Sequence, residues 1–187
     1  RSDRQKEMAK IRLRKYDYGK STHQLQTDVF KIISDWYHLA ILELVNLKGF
    51  RAEPGWIGRQ LNISLLQADL GLERLLRVGL LKKTDDGYIV VHENGDIPGG
   101  VPSSCIKKFH SQILAKASEA LFSQPIDKRE YFVHIMGVKS DKIQEAKDMI
   151  LEFKHKFCST VSEAGEKDGL YCLGIQFFDL TGGGASS

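Results

Sequence analysis

Residues 54–91 carry two helix signals followed by a hairpin signal, and this order constrains the fold more than any other feature of the chain. Two apolar runs, 54–61 and 65–78, have the length of short helices and are separated by a tight break. Ser64 suits the N-cap of the second run, and Gln67 three residues later completes a capping box. The sequence therefore predicts a helix, a turn and a second helix.

A hairpin signal follows the second helix. Gly79 supplies a left-handed stop, after which come two short apolar runs, Leu80–Thr84 and Tyr88–Val91. Between them, Asp86-Gly87 is the kind of pair that a type I′ turn favours, because both central residues need a positive φ. The order helix, turn, helix, hairpin predicts a winged helix-turn-helix domain. The alternative is a pair of core helices followed by an incidental hairpin. The N-cap signal, the glycine stop and the turn pair all agree with the winged helix.

The whole chain is predicted to be of the α+β class, with the winged helix-turn-helix domain followed by a small α-β-α-β two-layer domain. Asp28 is expected to cap a long helix from Val29 to about Leu47 that opens the winged-helix domain. The predicted segments are a basic helical segment and linker (1–27), a winged-helix domain (28–92), a linker (93–102), an α/β dimerisation or sensing domain (103–180) and a flexible tail (181–187).

In the second domain, alternating apolar residues predict strands at Glu130–Val138 and Leu170–Asp179, each preceded by an amphipathic helix. Two strands make a sheet too small to be stable alone, and both strands carry bulky apolar residues on both sides. A homodimer that buries the remaining face is therefore expected. The alternative is that the hairpin or the N-terminal helix covers this face within one chain.

Charge and composition narrow the class of protein. The net charge is +3, but Arg1–Lys20 alone holds eight basic and three acidic residues, or +5, which leaves −2 for the rest. The region 29–92 has eight basic against seven acidic residues, a weak footprint for a protein that neutralises phosphates. No membrane span or signal sequence is evident, and the three cysteines lack ligand spacing. A cytoplasmic protein without a membrane partner is expected.

The second helix of the turn offers candidate DNA contacts. Its exposed face is predicted to hold Gln67, Leu70, Gly71, Arg74 and Arg77. Arg and Gln read base edges, and further basic residues hold phosphates. Asp69 and Glu73 on the same helix argue for a solvated face of mixed charge instead, and Gly71 in mid-helix indicates a close approach by another helix or a partner. The candidate DNA-binding residues are Arg59, Gln67, Arg74, Arg77, Lys82 and Lys83.

Four residues in aromatic settings form a possible sensing or structural pocket: Trp36, His38, Phe109 and His110. A histidine beside an apolar stripe is more often a hydrogen-bonded core residue than a ligand. We find no pair with metal-ligand spacing, no nucleophile motif and no glycine-rich phosphate loop. The sequence therefore predicts no enzyme activity, no metal site and no cofactor.

A set of matching residues carries a family resemblance over roughly residues 5 to 180. They are Phe30, Ser34-Asp35-Trp36-Tyr37-His38, Ala40-Ile41, Glu43-Leu44, Phe50, Trp56-Ile57, Arg59-Gln60-Leu61, Gly79-Leu80-Leu81, Pro102-Ser103, Phe109-His110, Gln112, Ala117, Ala120-Leu121, Arg129, Tyr171 and Ile175-Gln176-Phe177. With them the chain resembles an uncharacterised bacterial family that occurs as large paralogous sets in some predatory and fibre-degrading bacteria. Members are usually regarded as transcriptional regulators and typically carry a further helix-turn-helix-like region upstream. The resemblance implies a regulator and a C-terminal portion, without an assigned ligand or catalytic residue.

Two functions are thus expected. The leading one is a transcriptional regulator with a winged-helix unit and a second domain for dimerisation or ligand sensing. The winged-helix unit would bind DNA directly or sit beside a DNA-binding module. The alternative is a protein–protein interaction module that docks a partner through Leu70, Gly71 and their neighbours without contacting DNA. The nearly neutral winged-helix region favours this alternative.

Overall fold

Helices predominate in this mixed α and β protein, whose computed structural model describes residues 24–85, 87–91, 102–161 and 165–181. The described chain divides into two compact units. The first takes in the described residues up to Ala115 together with Lys167–Leu170, and the second takes in Lys116–Glu166 and the described residues from Tyr171 onward. The division falls within a helix. The predicted linker 93–102 lies, apart from Pro102, outside the described residues, as do most of the segments 1–27 and 181–187.

The elements follow in chain order. The helices are α1 (24–34), α2 (Tyr37–Val45), α3 (Pro54–Leu61), α4 (Leu65–Val78), α5 (Ser103–Ser123) and α6 (Ile143–Val161). The strands are β1 (Leu81–Thr84) and β2 (Gly87–Val90), and short 3-10 turns occupy Ile126–Lys128 and Ser140–Lys142.

The turn between α3 and α4 forms as its residues predict. Asn62 adopts the left-handed conformation (φ 51°, ψ 51°) and ends α3. The Ser64 hydroxyl accepts the Gln67 N–H at 3.2 Å, while the Gln67 side chain accepts the Ser64 N–H at 2.9 Å. Gly79, at φ 84°, ends α4 in the left-handed region. The predicted capping box and stop are therefore confirmed.

The hairpin also forms, one residue earlier than predicted. β1 and β2 are antiparallel, with Leu81 opposite Val90 and Thr84 opposite Gly87. Gly87 is thus a paired strand residue at φ 136°, and Asp85 begins the two-residue connection. The prediction that Asp86-Gly87 forms the turn is wrong, since cross-strand pairing already uses Gly87; Asp86 itself lies outside the described residues.

The long first helix is interrupted, contrary to the prediction of one helix from Val29 to about Leu47. The Trp36 N–H donates to the side chain of Gln112 at 3.1 Å, and the His38 N–H bonds to the Asp35 carbonyl at 3.2 Å. These two bonds take the place of the i→i−4 backbone hydrogen bonds of a continuous helix. As a result, α1 ends before α2 begins. Asp28 is not an N-cap but a buried residue inside α1.

The core of the first unit lies where α2, α3 and α4 meet, with β1 at its edge. Each of these helices contributes one face of aliphatic side chains, as expected for amphipathic helices. Its buried apolar residues are Ile32, Tyr37, Ile41, Leu44, Ile57, Leu61, Ala68, Leu72, Leu75 and Leu81.

The second unit differs from its prediction. α5 and α6 are present, but the chain forms no strand over 130–138 or 170–179, so the predicted α-β-α-β domain is wrong for the single chain. The described residues of this unit include no buried side chain. Alternating apolar residues show how a segment would lie in a sheet, but a strand also needs a hydrogen-bonded neighbour, and the two segments do not pair with each other.

Candidate functional site

The outer face of α4 is formed by exposed residues between Leu65 and Glu73. Leu65 and Leu66 are 64% and 65% exposed, and Gln67, Asp69 and Glu73 are also exposed. Leu65 lies at the corner with α3, because a Cβ built on Gly55 would stand 3.9 Å from its Cδ1 and 3.7 Å from Arg59 Nη1. This face combines apolar and acidic side chains.

The inner face of α4 includes two residues that we expected on its exposed side. Gly71 is buried, and a Cβ built on it would lie 2.8 Å from Ile41 Cδ1. The close approach that this glycine indicated is therefore that of α2. The Arg74 side chain is only 17% exposed. Both residues flank the apolar stripe that α4 presents to the core, which explains why the prediction of their exposure is wrong.

Arg74 and Arg77 both face a buried carboxylate on α1. Arg77 donates to Asp28 through Nε at 2.7 Å and Nη2 at 3.3 Å, and Arg74 Nε lies 3.7 Å from the same carboxylate. Gln24 Nε2 adds a bond of 3.2 Å. Asp28 is 1% exposed, so its charge is compensated by the arginines rather than by water.

The other candidate DNA contacts lie in different surroundings. Arg59 on α3 and Lys82 and Lys83 on β1 are exposed, and none of them forms an ion pair within the described chain. The Gln67 side chain is exposed, but its oxygen already accepts the Ser64 N–H. Of the six candidates, the three basic side chains on α3 and β1 are thus the ones available for an external anion.

His38 is fully buried, and its Nδ1 lies 3.0 Å from the Asp35 carbonyl. His38 is therefore a hydrogen-bonded core residue, as is usual for a histidine beside an apolar stripe. Its ring stacks on Tyr37 at 4.4 Å, and Nε2 has no hydrogen-bond partner among the described residues. Burial lowers the pKa of His38 and raises that of Tyr37, since both charged forms lose hydration.

The four residues of the possible sensing pocket do not share one environment. Trp36 is half-buried at the junction of α1 and α2, next to the buried His38. Phe109 and His110 are neighbours on α5 with rings 5.7 Å apart, and His110 is exposed. The imidazole of His38 is therefore buried, whereas that of His110 is exposed to solvent.

Sequence reasoning missed the cluster that joins α5 to the α1–α2 junction. Asp35 accepts hydrogen bonds from Lys108 and, at 3.2 Å, from Gln112 Nε2. Burial acts to raise the pKa of Asp35, but the bonds from Lys108 and Gln112 outweigh it and hold the pKa below its ordinary value. The polar stripe of α5, with its lysines, was the only signal of this contact.

Metal sites and membrane spans are two further features to consider in the described ranges. No three His, Cys, Asp or Glu residues there are grouped so that they could hold a metal ion. No helix in those ranges has the length and apolar character needed to cross a membrane.

Comparison with known proteins gives one match. A family model described as a domain of unknown function (DUF4423) matches residues 19–180. No curated protein and no solved structure matches the chain.

Proposed function

This chain belongs to the DUF4423 family, and we propose that it is a non-catalytic regulatory protein whose first unit is a winged helix that contacts DNA. The elements α3, α4, β1 and β2 follow one another in the order helix, turn, helix, hairpin. The observation that carries the proposal is that Arg59 on α3 and Lys82 and Lys83 on β1 are exposed and form no ion pair within the described chain.

These residues suit phosphate contacts better than base reading. Lysine binds a phosphate as a mobile point charge, and Arg59 is the one residue of the three whose planar guanidinium also suits a base edge. Arg74 and Arg77 bind Asp28, and the Gln67 oxygen caps α4. We therefore expect binding that depends more on the DNA backbone than on its sequence.

The test measures the affinity for a random-sequence DNA duplex by fluorescence anisotropy at several salt concentrations. Each phosphate contact adds roughly 0.9 to the slope of log affinity against log salt. Replacing both Lys82 and Lys83 by Glu should weaken binding and lower that slope by about two, because two contacts are lost.

The matched control is the double replacement Lys154→Glu and Lys156→Glu on α6. It makes the same change in net charge at exposed lysines of the other unit. It should leave the salt slope unchanged. If both double variants lower affinity equally, or if the parent protein does not bind duplex DNA, the proposal is wrong.

A second candidate function rests on the outer face of α4. Leu65 and Leu66 are nearly two-thirds exposed, and Asp69 and Glu73 lie on the same helix. Such a face repels phosphates but suits an amphipathic helix that places basic residues beside an apolar stripe. The partner would be a protein segment of that chemistry.

A synthetic Leu/Lys amphipathic peptide is the probe for this second function, with a Leu/Glu peptide of the same pattern as the control. NMR shift changes should map to α4 with the first peptide only. They should disappear in Leu65→Asp and Leu66→Asp variants. Equal binding of the two peptides, or shifts confined to the second unit, would contradict it.

A further inference from the structure

Two segments of the second unit, 130–138 and 171–178, leave their backbone unpaired. No backbone–backbone hydrogen bond of the described chain involves a residue of either segment. Polar backbone groups in folded proteins are nearly always paired, and a row of free N–H and C=O groups is a template for another strand. Each segment also has the alternating, β-branched and aromatic composition that sheets favour.

The side chains of the segment 130–138 are exposed on both of its sides. Phe132 is 86% exposed on one side, and Val133 and Ile135 are 83% and 76% exposed on the other. The segment 171–178 differs, because its Leu173 and Ile175 line a cavity of about 440 Å³ together with residues of α6. Within its own unit, the first segment contacts α5 through the Tyr131 hydroxyl, which donates to the Ala117 carbonyl, but the side chains from Phe132 to Met136 remain largely exposed.

The exposed apolar area is large enough for a stable interface. Phe122, Phe132, Tyr171 and Phe178 are each at least 70% exposed. At roughly 200 Å² per aromatic side chain, these four alone expose on the order of 600 Å². A standard interface buries about 800 Å² on each partner, and the exposed aliphatic residues of the unit supply the rest.

We propose that the exposed apolar side chains of the second unit are covered by a second copy of the chain. The segments 130–138 and 171–178 of the two copies pair as strands of one intermolecular sheet. A peptide partner could add one strand, but it would leave the second unpaired segment and its side chains in water. A second copy presents both segments at once, as a two-fold interface requires. The inference concerns the second unit alone and does not depend on DNA binding by the first.

The first test uses the unaltered 187-residue chain. Light scattering should give twice the 21.1 kDa of one chain, falling toward 21.1 kDa on serial dilution. Hydrogen exchange over the same dilution series should show the amides of 130–138 and 171–178 protected in the dimer and fast-exchanging in the monomer. A single-chain mass at all concentrations, or a dimer in which these amides exchange freely, would overturn the proposal.

The second test changes the surface. Phe132→Glu and Ile135→Glu together place charges on both sides of the first segment, and both side chains are exposed in the single chain. The double variant should be monomeric with an unchanged helical circular-dichroism signal. Leu39→Glu and Ile89→Glu together, at two exposed apolar residues of the first unit, make the same change in net charge and should remain dimeric. Persistent dimerisation of the double variant would show that another surface is used.

Discussion

Gly71 on α4 and Ile41 on α2 touch so closely that a single added methyl group would overlap with the isoleucine. A Cβ built on Gly71 would lie 2.8 Å from Ile41 Cδ1 and 3.4 Å from Tyr37 Cε2. Ile41 is fully buried, so its side chain cannot turn out into solvent to avoid the added group. The absence of a side chain at position 71 thus sets how closely the two helices approach.

We expect Gly71→Ala to destabilise the protein although alanine favours helix by about 1 kcal/mol. Overpacking a core costs about 1–3 kcal/mol, which exceeds that gain. Adding Ile41→Val removes the Cδ1 atom that the new methyl group meets, so the double variant should be more stable than the two single effects predict. Urea unfolding of the four proteins measures the coupling, and additive free energies would contradict the contact.

Replacing Asp28 by Ala should be strongly destabilising, because it leaves Arg74 and Arg77 facing a cavity without a counter-charge. Breaking a buried ion pair costs about 3–5 kcal/mol, and we expect the lower part of that range since the Arg77 side chain is 44% exposed. Thermal and urea unfolding check the loss. The exposed pair Lys142–Glu145 supplies the control, and Glu145→Ala should change stability little.

His38 should make the first unit less stable in mild acid. Its pKa is lowered by burial in the folded protein, so below about pH 6.5 the unfolded chain binds a proton that the folded chain resists. The contribution is fully present above the unfolded pKa and is lost as the pH falls toward the lower, folded pKa. His38→Phe should flatten this part of the stability–pH curve, while His155→Gln, at an exposed position, should not.

Gln112 holds α5 on the α1–α2 junction through two bonds, one from the Trp36 N–H and one to Asp35. Gln112→Leu should cost about 1–3 kcal/mol, because the Trp36 N–H loses this acceptor and the Asp35 carboxylate keeps the bond from Lys108 but loses the one from Gln112. Faster hydrogen exchange in the first half of α5 would report the release. Gln144→Leu removes one exposed bond to Asp148 and should leave stability and exchange nearly unchanged.

Local signals explain which parts of the fold were predictable. The α3–α4 turn depends on residues within a few positions of one another, with Ser64 and Gln67 bonding across three residues and Gly79 ending the helix. Such caps act through the backbone of the segment itself and can be read from the sequence. The hairpin was predicted one residue late, since pairing between strands decides which residues belong to the turn.

Contacts between distant residues could not be read in this way. Asp28 and Arg77 are 49 positions apart, and Asp35 and Gln112 are 77 apart. A single sequence shows each charge but not its partner, so Asp28 resembled a helix cap and Arg77 a DNA ligand. The prediction of strands in the second unit is wrong for a related reason. Alternation of apolar residues along a segment does not indicate whether another segment lies beside it to form hydrogen bonds.

The bridge between Leu47 and Lys167 has a consequence for dividing the protein into fragments. The Lys48 N–H donates to the Lys167 carbonyl at 2.8 Å, and Lys167–Leu170 belongs to the first unit although more than fifty residues of the second precede it. The chain therefore leaves the first unit after Ala115, returns to it for Lys167–Leu170 and passes back into the second unit at Tyr171. A fragment ending at Ala115 would lack a native contact of its own unit, whereas a fragment that extends through Leu170 would retain it.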